Sequence, residues 1–235
     1  TSDGRYELRD LTTVDRTLIG TFDDQPSSYF PGYVVTWRTS GDFGYDLHDL
    51  VTGEVTPLYA SSVMGDTIAL YYEDGRLKVF STATGDLITD TAVESVEGPQ
   101  SAMMNNEGDG YVWLELRDND RYETTATRVY GPEGLVSDLT HLQSKYYFLN
   151  YLTTTPEGRP LYYGTSEAPS RNGSLCDVLD ETGNVALGLG DLGGCYSYYS
   201  NSLNQLPDHV FVARRGFYYG WMDTDGKWLY CQSIF

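Results

Sequence analysis

The chain has 235 residues, and its 34 acidic residues against 15 basic ones give a formal net charge of −19. This length suits one domain with its own core, and the negative charge argues against binding to nucleic acid or to anionic membrane surfaces. No stretch approaches the roughly 20 apolar residues of a membrane-spanning helix, so no direct membrane insertion is expected.

Short strands separated by tight turns are predicted along the whole chain. Residues 5–22 form a predicted hairpin, and no window combines helical periodicity with capping residues. The Asp-Gly pair at residues 74–75 is a strong hairpin signal. Further strands are predicted at residues 33–38, 44–50, 54–59, 67–72, 76–81, 86–90, 111–117, 121–130, 135–139, 145–153, 160–164, 175–179, 184–189, 209–213, 217–222 and 227–231.

One strand-turn-strand unit recurs, with an acidic residue or Thr shortly before a glycine in the turn. The glycines are 32, 49, 49 and 43 residues apart, at Gly53, Gly85, Gly134, Gly183 and Gly226. A repeat near 40 residues built from strands predicts a propeller or a related array. The predicted fold is one all-β domain, a five- or six-unit β-propeller or propeller-like array of small antiparallel sheets. Its units are expected at residues 1–22, 23–60, 61–94, 95–142, 143–192 and 193–235.

Two motifs carry resemblances to known repeat families. Residues 216–228, Gly-Phe-Tyr-Tyr-Gly-Trp-Met-Asp-Thr-Asp-Gly-Lys-Trp, resemble the WG-type β-repeat of bacterial proteins. Residues 45–53 and 77–85, which both end in Thr-Gly, resemble the third strand and turn of quinoprotein or WD40-like propeller blades. Both resemblances imply a β-repeat scaffold, often exported and anchored to bacterial surfaces, and neither implies a reaction.

The best candidate for a ligand surface is the aromatic stretch Tyr196, Tyr198 and Tyr199, close to a Gly-rich segment. Exposed aromatic side chains beside acidic residues are common in carbohydrate and peptide sites. Burial between neighbouring units is the alternative for these rings. The expected function is a non-enzymatic binding or scaffold module that contacts a protein, a peptide or a glycan and is itself a monomer.

No catalytic, cofactor or metal motif is recognised. The histidines His48, His141 and His209 lack metal-like spacing, and the oxygen-rich segments at residues 105–110 and 118–120 are interpreted as polar turns rather than calcium loops. No nucleophile elbow, phosphate-binding loop or dinucleotide fingerprint occurs. The alternative function is a propeller-type carbohydrate hydrolase with acidic residues at its central axis.

The cysteines leave the compartment open. Cys176 and Cys195 flank a segment that ends in a Gly-rich stretch and are able to pair, but three free thiols are the expectation. The sequence opens Thr-Ser-Asp-Gly without an initiating Met, which is consistent with a removed targeting segment. High acidity, abundant Tyr, Thr and Gly and few Lys are typical of exported bacterial proteins. An exported or cell-surface bacterial protein is expected from this composition, with a lipid anchor on the removed segment as one possibility.

Overall fold

The computed structural model describes residues 5–10, 12, 14–39, 44–93, 100–106, 111–118, 123–165, 176–189, 194–196 and 209–233. For Gln100, Asn106 and residues 194–196 it describes the backbone alone.

The described residues form 21 strands and one short 3₁₀ helix, Thr140–Leu142. The strands are β1 Tyr6–Arg9, β2 Leu18–Phe22, β3 Gln25–Phe30, β4 Tyr33–Trp37, β5 Tyr45–Asp49, β6 Val55–Met64, β7 Thr67–Tyr72, β8 Arg76–Ser81, β9 Leu87–Ala92, β10 Gln100–Asn106, β11 Val112–Asp118, β12 Glu123–Gly131, β13 Gly134–Asp138, β14 Phe148–Thr154, β15 Pro160–Thr165, β16 Cys176–Leu179, β17 Val185–Gly188, β18 Gly194–Tyr196, β19 Val210–Arg215, β20 Tyr218–Asp223 and β21 Trp228–Ser233.

The strands are arranged in meandering sheets that follow chain order. β1 pairs with β2, and strands β10 to β13, β14 to β17 and β18 to β21 make three sheets of four. Strands β3 to β9 make one seven-stranded sheet. Nearly every strand is therefore joined to the next by a short antiparallel connection. The predicted fold class, an all-β, propeller-like array of small antiparallel sheets, is confirmed.

The seven-stranded sheet consists of two successive four-stranded units that share β6. Its first residues, Val55 to Leu58, pair with β5, and the remainder up to Met64 pairs with β7. The register shifts between Leu58 and Ala60. A β-bulge bends and twists the strand that carries it. The first half of β6 is therefore the last strand of the first unit, and its second half is the first strand of the next unit.

β7 lies between two hydrophobic cores. Its side chains alternate, as strand geometry requires. Ala69 and Tyr71 enter one core together with Leu77, whereas Ile68 and Leu70 enter the other. A central strand that is buried on both faces is apolar almost throughout, which explains the run Thr-Ile-Ala-Leu-Tyr-Tyr.

Arg38 ties the two halves of the seven-stranded sheet together. Its Nη2 donates hydrogen bonds to the carbonyl oxygens of Tyr45 and Leu58 and to Glu73 Oε1, at 3.0, 3.2 and 2.9 Å. Its Nε lies 3.2 Å from Asp46 Oδ1, an ion pair without hydrogen-bond geometry. Because only a fifth of the side chain is exposed, these contacts are better shielded than surface ion pairs.

The five predicted glycine turns are confirmed, and all five glycines have positive φ. Each one connects the third and fourth strands of a four-stranded unit, for example β5 to β6 and β8 to β9. Before four of these glycines, at positions 53, 85, 183 and 226, a side-chain oxygen caps the turn. For example, Asp49 Oδ1 accepts the amides of Val51 and Thr52, and Ser81 Oγ accepts those of Ala83 and Thr84. The recurring motif is thus a capped hairpin turn.

The strands predicted from the sequence amount to three in most units after residue 22, and this number was wrong, because each described unit from β3 onward has four strands. The first strand of a unit was missed in four cases: β3, the second half of β6, β10 and β18. β3, β10 and the second half of β6 carry Ser, Asn, Gln or Pro in place of the alternating β-branched and aromatic residues that mark a strand, and β18 has only three residues.

The chain divides into two compact units, residues 1–126 with 130–135 and residues 127–129 with 136–235. The first unit contains the two cores on either side of β7. The second contains a core that includes Leu152, Val178, Phe211 and Met222. The one-domain organisation with its six boundaries stays a prediction. Within the described residues, no helix is long and apolar enough to cross a membrane.

The expectation of three free thiols was wrong. Cys176 is disulfide-bonded, and Cys231 is free and exposed. Since the sequence has three cysteines, Cys195 is the partner of Cys176 by elimination. The bridge starts in the second core, where Cys176 is 1% exposed.

Candidate functional site

Three exposed aromatic side chains lie side by side on the last sheet: Tyr219 and Trp221 on β20 and Tyr230 on β21. Their exposed fractions are 36%, 46% and 55%. Trp221 is opposite Tyr230 in the strand register, and the centroids of the two rings are 6.1 Å apart. Tyr219 and Trp221 share one side of the sheet because they are two residues apart on a strand. We call these three residues the aromatic face.

The other side of the same sheet is buried. Phe211, Ala213 and Met222 are completely inaccessible there and pack in the core of the second unit. Met222 follows Trp221 directly, so consecutive residues of β20 face the core and the solvent. An antiparallel sheet with one face in the core and the other solvated has this alternation, and it places the aromatic residues outside.

Gly220, which lies between Tyr219 and Trp221 on β20, allows the backbones of β20 and β21 to approach closely. A Cβ atom at this position would collide with the backbone of Tyr230 and Cys231. The register shifts immediately afterwards, between Trp221 and Met222. Glycine is therefore required where the backbones approach, and this approach brings the rings of Trp221 and Tyr230 together.

Polar groups border the aromatic face. Gln232 and Arg214 are the residues opposite Tyr219 on the two neighbouring strands. Tyr230 Oη donates a hydrogen bond of 3.4 Å to Gln232 Oε1, and Arg214 Nε donates one of 3.3 Å to the carbonyl of Gly216. This combination of rings, an amide and a guanidinium is suited to stacking and hydrogen bonding.

β21 adds a backbone edge to the aromatic face. It is the last strand in the order β18-β19-β20-β21, so among the described strands it pairs on one side only. All its residues after Trp228 are exposed. An unpaired strand edge with exposed apolar side chains is a template for pairing with another chain.

Of the predicted ligand surface, the structure describes only the backbone of Tyr196. Tyr196 lies in β18, in register with Val212, which is itself opposite Trp221. The backbone of Tyr196 is thus in the same row of the sheet as the aromatic face. Tyr198 and Tyr199 lie outside the described residues, and the role of all three stays a prediction.

The sequence analysis missed the aromatic face although it quoted the motif that contains it. The signal is the alternation Tyr-Gly-Trp-Met in β20 together with Tyr230 across the strand pair. Alternation separates the two sides of a strand, but it does not say which side the core covers. Trp221 and Met222 are both suitable core residues.

The described carboxyl groups with a shifted pKa are shifted downward. Hydrogen bonds from nearby threonines lower the pKa of Asp10, Asp24, Asp49 and Glu157. Burial raises the pKa of Asp138 and Asp180, but several hydrogen bonds outweigh that effect. A glycosidase general acid requires a shift in the opposite direction.

Most of the polar segments considered for metal binding lie outside the described residues. Residues 107–110 and 119–120 belong to this group. Among the residues that the structure does describe, no group of three or more His, Cys, Asp or Glu side chains is arranged to hold a metal ion. His48 and His209 instead form hydrogen bonds, to Thr36 Oγ1 and to the carbonyl of Thr154.

A family match covers residues 1–235, and its description is "Domain of unknown function (DUF5046)". The chain belongs to this family. Among curated proteins, none matches the sequence of this DUF5046 domain.

Several solved structures are similar to the DUF5046 domain at low identity. The computationally designed Ika8 protein is 14% identical with a TM-score of 0.40, and the match covers 93% of this chain and 65% of Ika8. The WD40 β-propeller domain of Doa1 is 12% identical with a TM-score of 0.37, covering 89% and 69%. BamB from Moraxella catarrhalis is 15% identical with a TM-score of 0.35, covering 100% and 69%. The chain thus spans less than two thirds of the length of Ika8.

Proposed function

We propose that the DUF5046 domain is a non-enzymatic binding or scaffold module that holds an extended polypeptide segment against the aromatic face and the outer edge of β21. The observation that carries this proposal is the exposure of Trp221 and Tyr230 as a contacting pair beside a strand edge that pairs with none of the other described strands. Trp, Tyr and Arg contribute most of the binding energy in many protein interfaces. A strand edge provides backbone hydrogen bonds to an added strand.

The charge of the domain favours a basic partner segment. With a net charge of −19, the field of the whole molecule attracts cationic segments and repels acidic ones, including a second copy of the chain. A monomer that presents one face to its partner is the state that fits this charge.

The cellular setting belongs to the same proposal. The C-terminal unit is a WG-type repeat of a bacterial protein, and the domain works outside the cytoplasm, exported or anchored at the cell surface. The disulfide of Cys176 supports this setting because disulfides persist in oxidising compartments and are rare in the cytosol.

Selection from a displayed peptide library tests the proposed function. We expect the wild-type domain to enrich basic, extended peptides, and Trp221→Ala and Tyr230→Ala to weaken their binding at least tenfold, as removal of a central aromatic residue does in protein interfaces. Tyr147→Ala is the matched control, since Tyr147 is an aromatic residue of the same unit that is 71% exposed. Thermal unfolding confirms that each variant is folded.

A glycan array and hydrolysis assays with the same proteins separate the alternatives. Glycan binding that depends on Trp221, without peptide binding, would replace the polypeptide by a carbohydrate. Turnover of a carbohydrate would favour the hydrolase alternative. Peptide binding that survives both aromatic substitutions would overturn the proposed surface.

A further inference from the structure

The first unit contains a cavity of about 330 Å³ that is lined by side chains of strands β4 to β9 and their turns. The aromatic face lies in the second unit, so the two features are separate. A volume of this order lies at the small end of the range for ligand sites.

The charge of the cavity lining is negative. Asp49, Glu54 and Asp74 contribute carboxylates, and Lys78 contributes one ammonium group. Two of these carboxylates are already oriented by the backbone. Asp49 Oδ1 accepts the amides of Val51 and Thr52, and Asp74 Oδ1 accepts the amide of Arg76 at 3.0 Å. The cavity therefore presents fixed negative charge before any ligand arrives.

Tyr72 supplies a buried polar group in the same cavity. Its side chain is 7% exposed and lines the cavity. Burial raises the pKa of Tyr72 far above its ordinary value, and the neighbouring Tyr33 and Asp74, which also line the cavity, add to this effect. The hydroxyl is thus neutral, and a neutral phenol is able to accept a hydrogen bond from an ammonium group.

Lys78 shows what kind of group the cavity accepts. Its Nζ lies 4.7 Å from the centroid of the Tyr72 ring, which is the geometry of a cation–π contact. An ammonium group therefore already occupies one face of the ring, beside carboxylates that outnumber it. The described residues offer no cluster suited to a metal ion, so the negative charge matches an organic cation better than a divalent metal.

We propose that this cavity binds a small organic cation, an ammonium group carried on a short apolar chain. The ammonium group lies among the carboxylates of Asp49, Glu54 and Asp74, and the apolar chain packs against the aromatic rings of the lining. No proton or electron is transferred when the ligand binds. The ammonium group of Lys78 competes with the ligand for the ring face of Tyr72.

Titration with n-butylammonium, followed by amide chemical shifts of the intact domain, tests the proposal. We expect saturable shifts that are confined to residues around the cavity. The neutral analogue 1-butanol and the anion butyrate should bind at least tenfold more weakly. Equal binding of butylammonium and 1-butanol, or no saturable binding of butylammonium, would overturn the proposal.

Three variants give effects of different sign. Glu54→Gln should weaken butylammonium binding about threefold, the usual scale for one partly exposed charge. Tyr72→Phe should also weaken it, since the hydroxyl that accepts a hydrogen bond from the ammonium group is lost. Lys78→Met should strengthen binding about two- to fivefold, because it frees the ring face for the ligand.

Asp66→Asn is the matched control for charge. Asp66 is exposed and is not part of the cavity lining, but its loss changes the net charge as Glu54→Gln does. Equal effects of the two substitutions would attribute binding to the general field of the protein. Unchanged or weaker binding by Lys78→Met would contradict competition at Tyr72. Either result would overturn the assigned site.

Discussion

His48 is a half-buried histidine whose environment favours the neutral imidazole. Its Nε2 shares a hydrogen bond of 3.0 Å with the hydroxyl of buried Thr36, and the ring of Phe22 packs edge-on at 5.1 Å. Burial lowers the pKa of His48 from its usual 6.5, and attraction to Asp46 and Asp24 reduces this shift without reversing it. Protonation of the imidazole therefore opposes folding.

We predict that His48 makes the domain less stable as the pH falls. The unfolded chain binds a proton near 6.5, whereas the folded chain binds it at lower pH, so the free energy of unfolding decreases as pH drops from 6.5 through the folded pKa. His48→Gln removes this titration and keeps a polar group beside Thr36. Urea unfolding at about pH 7 and about pH 5 should show a smaller loss for the variant. Identical losses would contradict the prediction.

The candidate site illustrates the limit of sequence information for single residues. The pattern of β20 predicts a strand, and the glycine at position 220 fits the close approach of β21. The exposure of Trp221 depends on a different fact, namely that the second core covers Phe211, Ala213 and Met222 on the opposite side. That choice of side follows from packing between sheets, which the local pattern does not contain.

At the level of the structural element, the turns that precede the fourth strand of each unit have similar backbone conformations, each with a glycine of positive φ. Gly53 and Gly85 have φ values of +76° and +78° and lie in the same type of capped turn. Their surroundings differ. A Cβ at Gly53 would meet nothing within 4 Å, whereas one at Gly85 would approach the carbonyl oxygen of Pro31 to 2.8 Å.

We predict that Gly85→Ala destabilises the domain more than Gly53→Ala. Both substitutions force an L-residue into the left-handed region, at a cost of about 1–2 kcal/mol. Gly85→Ala adds a backbone clash, for which about 1–3 kcal/mol more is expected by analogy with overpacking. Urea unfolding of the two variants measures the difference directly. Equal destabilisation would mean that Pro31 moves away without cost.

The elements that sequence analysis found and missed have a common explanation. Alternating apolar residues and glycine turns identify the second to fourth strands of each unit, because both signals are local. The missed first strands are polar, short or interrupted. β3 contains Pro26, which a strand tolerates at a sheet edge, and β3 is indeed at an edge. Whether such segments form strands depends on their pairing with strands that are more distant in the sequence.

At the scale of the whole molecule, repetition made the architecture predictable. Five glycine turns indicate five similar units, and the structure has five groups of four strands when β6 is counted in two of them. The fusion of the first two units into one sheet was not predictable, because β6 continues through Tyr59 without a turn residue. A turn signal marks where a strand ends, but a bulge leaves no comparable mark in the sequence.

The disulfide is a constraint on the second unit as a whole. Cys176 begins β16 in the core, and β18, which contains Cys195, contacts β16. A bridge over residues 177–194 restricts the unfolded chain, and a loop of similar length is expected to contribute about 3 kcal/mol. Cys231 is exposed and free, so its removal should have little effect.

We predict that the oxidised domain has one free thiol and that Cys176→Ala is strongly destabilised. Thiol titration in denaturant without reductant should detect one thiol, and titration after reduction should detect three. Cys176→Ala should lose about 3 kcal/mol of unfolding free energy, whereas the control Cys231→Ala should change it by less than about 0.5 kcal/mol. Three thiols before reduction would rule out the bridge and would remove the main support for an exported protein. If the bridge forms but its removal leaves the free energy of unfolding unchanged, the predicted stabilisation by loop entropy is wrong. The proposal of an exported protein would still stand in that case.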